Sequence, residues 1–118
     1  PEDVEETFRA FLTAIRPLGL AWLHVIRRHQ LNQGVHLDNL ALARDLHDGA
    51  LIANDSYDGP EAATAIVQGV CDAVSFGRHF LATTDLPARF ADGRDPEHFD
   101  PRTLYTPGPL GYTELTRC

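Results

Sequence analysis

The chain of 118 residues has the size of one ordinary domain, which disfavours an independent two-domain enzyme. Acidic residues number 17 against 10 basic ones, so the formal net charge of -7 speaks against a broad nucleic-acid footprint or a polybasic membrane surface. A hydrophobic share of 43% is enough for a core, and the apolar runs are too short to cross a bilayer.

In chain order, Val4, Phe8, Phe11, Leu12 and Ile15 recur at helical spacing, and Asp3 with Glu6 has the form of a capping box. Pro17 and Gly19 interrupt that pattern. Leu20 to Ile26 is then an almost continuous apolar run of strand length, and the aperiodic stretch from Arg27 to Gly34 reads as a loop. A second helix is predicted over about Leu37 to His47, with Leu37, Leu40, Ala41 and Leu46 inward and Gly49 ending it. Ala50 to Ala53 is a second short buried strand, followed by the polar turn Asn54-Asp55-Ser56.

Pro60 suits the first turn of a third helix, from about Gly59 to Gln68, with an apolar stripe of Ala62, Ala63, Ile66 and Val67. Gly69 stops it. A third strand is predicted over Asp72 to Phe76, then Gly77-Arg78 and a short helix around His79 to Ala82. Leu86, Ala88 and Phe90 mark a last helix ended near Gly93. Residues 1–94 thus form an α/β segment, and 95–118 an irregular tail that Phe99, Leu104, Tyr105, Leu110, Tyr112 and Leu115 would anchor to a surface. Asp92, Asp95, Glu97 and Asp100 read as a solvated acidic stretch.

Strands separated by helical crossovers, without clean alternation, favour a parallel sheet covered on both faces. Three such strands leave two open edges, and open edges invite association, so a homo-oligomer is expected. A complete (β/α)8 barrel needs about 250 residues, so this chain could supply about three of eight units.

The chemical signal lies at two strand ends. In a parallel sheet the turns Asn54-Asp55-Ser56 and Gly77-Arg78 both emerge at the C-terminal edge, where helix N-H groups can hold an anion and an arginine can clamp it. Arg78 is a phosphate ligand, or else the arginine of a structural ion pair or a solvated arginine. Asp55 is a cap or turn residue whose charge opposes a phosphate. His24 would face an interior or satisfy a buried hydrogen bond, and His79 follows Arg78 closely enough to share its anion. No nucleophilic triad and no metal spacing emerges. Cys71 reads as a buried thiol and Cys118 as an exposed one. With no disulfide framework and no secretory signal, reducing, cytoplasmic conditions are expected.

Three segments carry a family resemblance: Trp22-Leu23-His24-Val25, Leu51 to Asp58, and Asp72 to Ala82. Asp85 to Phe90 with Gly93, and Leu104-Tyr105 with Gly108 and Gly111-Tyr112-Thr113, follow in order. Together they resemble the C-terminal part of the old yellow enzyme family, the FMN-dependent NAD(P)H:flavin oxidoreductases. The resemblance implies a partial (β/α)8 TIM barrel consisting of the last three parallel strands, their helices and the tail. It implies that Asn54, Asp55, Ser56, Gly77 and Arg78 bind the FMN phosphate, and that Tyr105 lines the substrate pocket. NAD(P)H would be the reductant, and an N-terminal barrel portion or partner chain would supply the substrate clamp and proton donor. No residue of this chain is assigned a catalytic role. At Asp55 the family usually carries glycine, so a truncated or degenerate relative and a small α/β interaction module are the alternatives.

Overall fold

A computed structural model describes residues 4–27, 37–105, 107 and 109. It divides into two compact units, Pro1–Ser75 and Phe76–Cys118. The predicted cap at Asp3, most of the predicted Arg27–Gly34 loop, and the anchors Leu110, Tyr112 and Leu115 lie outside the described residues.

In the first unit, helix α1 spans Val4–Ile15 and runs into a 3-10 turn at Arg16–Leu18, closed by Gly19 at φ 61°. Strand β1 (Trp22–Ile26), helix α2 (Asn39–Leu46), strand β2 (Ala50–Asn54), helix α3 (Gly59–Val67) and strand β3 (Ala73–Val74) follow. The sheet order is β1-β2-β3, and both pairings are parallel, with Leu23 beside Leu51 and Ala53 beside Val74. The predicted parallel α/β alternation is therefore present.

β3 is shorter than the five residues predicted, but its ladder extends beyond it. The Asp72 amide donates to the Leu51 carbonyl at 2.8 Å and the Ser75 amide to the Ala53 carbonyl at 2.9 Å. Leu20 falls outside β1 and is exposed.

Burial corrects the expectation of a sheet covered on both faces. Successive strand residues point to opposite faces, and here the faces differ. One face carries Val25, Leu51 and Ala53, all buried, with α2 packing on β1 and β2 and α1 packing on α2. The other carries Trp22 and Ile26, which are 59% and 57% exposed, together with His24, Asn54 and Ser75. A barrel segment has this asymmetry, because helices cover the outer face while the inner face is filled by side chains from other strands.

Two predicted helix faces also shift. Asp38 caps α2 by accepting from the Ala41 amide at 2.9 Å, which starts the helix at Asn39. Leu40, Leu42 and Ala43 are then buried, and Ala41 is exposed. In α3 the buried residues are Ala62 and Ala65, whereas Ala63, Ile66 and Val67 are exposed. Only the small side chains fit on the face that packs toward β3, so the larger apolar groups lie outside it.

The second unit contains helix α4 (Arg78–Ala82), helix α5 (Leu86–Ala91) and a 3-10 turn at Pro101–Thr103. Leu86, Thr83 and Leu104 are buried, and the Phe76 and Phe90 rings are tilted against each other with centroids 5.0 Å apart. Gly93, at φ 69°, follows α5 as predicted. Within the acidic stretch Asp92, Glu97 and Asp100 are paired with arginines rather than merely solvated. Arg89 bonds Asp85 at 2.8 Å and Glu97 at 2.5 Å, and Asp100 accepts from the Arg102 amide and side chain. Arginines spaced among the carboxylates neutralise them locally. Among the described residues no helix is long and apolar enough to cross a membrane.

Candidate functional site

At the C-terminal ends of the first unit's strands, three polar side chains from the open face converge. His24 of β1 lies with Nε2 2.7 Å from the Ser75 hydroxyl. Asn54, at the end of β2, donates through Nδ2 to that same hydroxyl at 2.6 Å and to the Ser75 carbonyl at 3.1 Å. With one donor already on its oxygen, the Ser75 hydroxyl can direct its own proton to His24 Nε2, which requires the Nδ1-H tautomer. His24 thus makes a side-chain hydrogen bond, though from an exposed rather than a buried position. Asn54 is committed to fastening β2 to the residue that follows β3.

The next two residues have unusual backbones. Asp55 has φ 82° and Ser56 has φ 58°, the left-handed region that L-residues enter at a cost and glycine enters readily. Asp55 therefore occupies a glycine-like conformation at the position where the resemblance expects glycine. Its carboxylate accepts from the Ser56 hydroxyl at 3.0 Å.

At the start of α3 one of the predicted anion donors is already engaged. Asp58 caps that helix by accepting from the Glu61 amide at 2.7 Å, so one helix-start N-H is already used and a carboxylate sits beside it. Capping falls to Asp58, and Asp55 remains a turn residue.

Sequence reasoning missed Arg27, which it placed at the start of an aperiodic loop. The Arg27 amide continues the β1–β2 ladder by donating to the Asn54 carbonyl at 3.0 Å. Its guanidinium lies over the Tyr57 ring, 3.7 Å from the centroid, and pairs with Glu61. The hydrogen bond that Arg27 donates to Glu61 raises the arginine's pKa. Burial pushes the Tyr57 phenol up in spite of the adjacent guanidinium. The available signal was position, since Arg27 directly follows a parallel strand at the edge where such sheets place their ligands.

In the second unit, Gly77 is the N-cap of α4 and Arg78 its first residue. Arg9, Arg16, Arg27, Arg44, Arg89, Arg94 and Arg102 each pair with a carboxylate. Arg78 is exposed and has no acidic partner among the described residues. Tyr105 is 69% exposed and has φ 63°, and its hydroxyl lies 3.8 Å from where a Cβ on Gly77 would stand. The tail thus returns to the start of α4 and brings Tyr105 beside the residue that precedes Arg78. His79 packs edge-on against Phe99 at 5.6 Å. No group of ligands suited to a metal ion occurs among the described residues.

A parallel sheet with helices on one face, an open inner face and ligand-type groups at its strand ends defines a segment of a (β/α)8 barrel. The comparisons with known proteins specify which one. No family model matches the chain. A probable flavin mononucleotide-dependent alkene reductase of Leishmania infantum is 34% identical over 113 residues, which is 96% of this chain and 30% of that protein. The old yellow enzyme from Trypanosoma cruzi superposes with a TM-score of 0.85 at 34% identity, covering 97% of this chain and 30% of that one. Morphinone reductase superposes at 0.79 and 30% identity, covering 95% and 30%. The chain is homologous to part of the old yellow enzyme family and carries a segment of its barrel fold. It spans about 30% of the length of these relatives.

Proposed function

We propose that this chain supplies the flavin phosphate-binding part of an FMN-dependent NAD(P)H oxidoreductase of the ene-reductase type. The observation that carries this reading is Arg78, an exposed guanidinium without an acidic partner among the described residues of a chain that pairs its other described arginines. The planar guanidinium fork is suited to a phosphate monoester.

The residues fit the group in two respects. Asp55 and Ser56 hold the glycine-like backbone that a close approach of phosphate needs, and Tyr105 stands beside Gly77. By resemblance, Asn54, Asp55, Ser56, Gly77 and Arg78 bind the phosphate, and Tyr105 shapes the space next to flavin and substrate. A bound FMN would supply hydride-transfer chemistry between NAD(P)H and an activated alkene, while the protein would contribute position and electrostatics. Asn54 anchors the turn through Ser75 and the turn offers backbone N-H donors; by resemblance, Arg78 would supply the positive charge. The substrate clamp and proton donor belong to a preceding barrel portion or a partner chain, so the chain alone is expected to be inactive on alkenes, in a cytoplasmic setting.

The Asp55 carboxylate favours a second reading, a non-catalytic relative with a weakened phosphate grip. Flavin fluorescence titrations with FMN and with riboflavin, which lacks the phosphate, separate the two. Saturable binding of FMN with much weaker binding of riboflavin supports the phosphate site. Equal or absent binding of both by the folded chain favours the degenerate relative. Self-association through the two open sheet edges is part of the proposal, and a monomer at high concentration in sedimentation equilibrium would count against it.

A further inference from the structure

Arg27 is the most heavily bonded side chain at the strand ends, and phosphate binding as proposed above makes no use of it. Its Nε donates to the Asp55 carbonyl at 3.0 Å and its Nη2 to the Ser56 carbonyl at 2.5 Å. Glu61 takes the far side of the fork, accepting from Nη1 at 2.5 Å and from Nη2 at 3.0 Å. The Tyr57 ring supports one face of the guanidinium. Held from three sides, this arginine is not available as an anion ligand in its own right. Its two backbone acceptors are the two consecutive residues with positive φ.

That coincidence has a geometric consequence. In a trans peptide the carbonyl and the following N-H point in opposite directions, and no peptide bond among the described residues is cis. Turning the Asp55 and Ser56 carbonyls toward Arg27 therefore turns the Ser56 and Tyr57 N-H groups away from it. We propose that Arg27 is a positioning residue. It holds the Asp55–Ser56 turn in its left-handed conformation and thereby presents those two N-H groups to a phosphate monoester. The inference rests on the phosphate-site reading given above. It assigns to Arg27 the work that a glycine at position 55 would make unnecessary, since glycine adopts positive φ without a side-chain clash.

The test uses the full chain, titrated with inorganic phosphate and with FMN, alongside amide NMR of Ser56 and Tyr57. Arg27→Lys keeps the charge but loses the fork. It is expected to weaken binding of both ligands about tenfold and to shift or broaden both amide signals. Adding Asp55→Gly to Arg27→Lys should restore the amide signals and most of the affinity, whereas adding Asp55→Asn, which removes only the charge, should leave the amide signals disturbed and restore less of the affinity. Unchanged binding and amide signals in Arg27→Lys would overturn the proposal. So would equal rescue by Gly and Asn, because that assigns the effect to the Asp55 charge. If the unmodified chain binds neither ligand, the phosphate reading fails and the amide signals decide the role of Arg27. Disturbance by Arg27→Lys with recovery by Gly supports it, and its absence overturns it.

Discussion

The Asp72 carboxylate accepts the Leu51 amide at 2.7 Å through the same oxygen, Oδ2, that receives the Arg44 guanidinium at 3.0 Å. One side chain thus completes the β2 ladder at its start and ties α2 to the sheet edge. The amide hydrogen bond and then the Arg44 guanidinium hold the Asp72 carboxyl below the usual carboxylate range. Because its folded pKa is depressed, the stabilisation is present above the ordinary aspartate value of 3.8 and is lost as pH falls through the lowered one. Asp72→Asn should lower the melting temperature at neutral pH and flatten the acid limb of the stability profile. Superimposable acid-unfolding curves would contradict this.

Leu51 is fully buried in the central strand, on the face covered by helices. Leu51→Ala should destabilise the chain by about 2–5 kcal/mol, the transfer and cavity terms together. Urea denaturation measures it through the midpoint at unchanged slope. A loss well under 1 kcal/mol would mean that the core is not formed as described.

Two positive-φ positions should respond unequally to the gain and the loss of a side chain. Gly69 has φ 73° with nothing within 4 Å of an added Cβ, so Gly69→Ala isolates the backbone cost, about 1–2 kcal/mol of stability. At Asp55, φ 82°, Asp55→Gly removes that strain and should change stability by less than about 1 kcal/mol after the added chain entropy of glycine. The same substitution should tighten FMN binding by removing a negative charge from the turn. Weaker FMN binding in Asp55→Gly would show that the carboxylate serves the site.

Cys71 is 1% exposed, and burial pushes its thiol pKa up. Both effects suppress the thiolate. Reaction of Cys71 with a disulfide reagent should therefore proceed through opening of the fold and accelerate as denaturant is added. A rate near that of an exposed thiol in native buffer would contradict the burial.

The helix–strand alternation was legible because each element carries its own punctuation. Gly19, Gly69 and Gly93 stand at element ends with positive φ, and Pro60 opens α3. The inward face of α3 was not legible. Ile66 and Val67 are more apolar than Ala65, and hydropathy alone ranks the larger residues as core, whereas close packing selected the smaller ones. Asn54 through Ser56 and Gly77-Arg78 were singled out from position and resemblance. The positive φ of Asp55 and Ser56 is not encoded in residue type, since neither is glycine. Arg27 was hidden for a related reason. Its partners are two backbone carbonyls and the distant Glu61, and no local pattern announces bonds to main-chain atoms.

The most direct measurement is a calorimetric titration of the folded chain with FMN, repeated on Arg78→Ala. One saturable site is expected, with an affinity that falls by about tenfold to a hundredfold in the variant, as for losing charge-assisted bonds to phosphate. Binding unaffected by Arg78→Ala, or no binding by a chain shown to be folded, would contradict it.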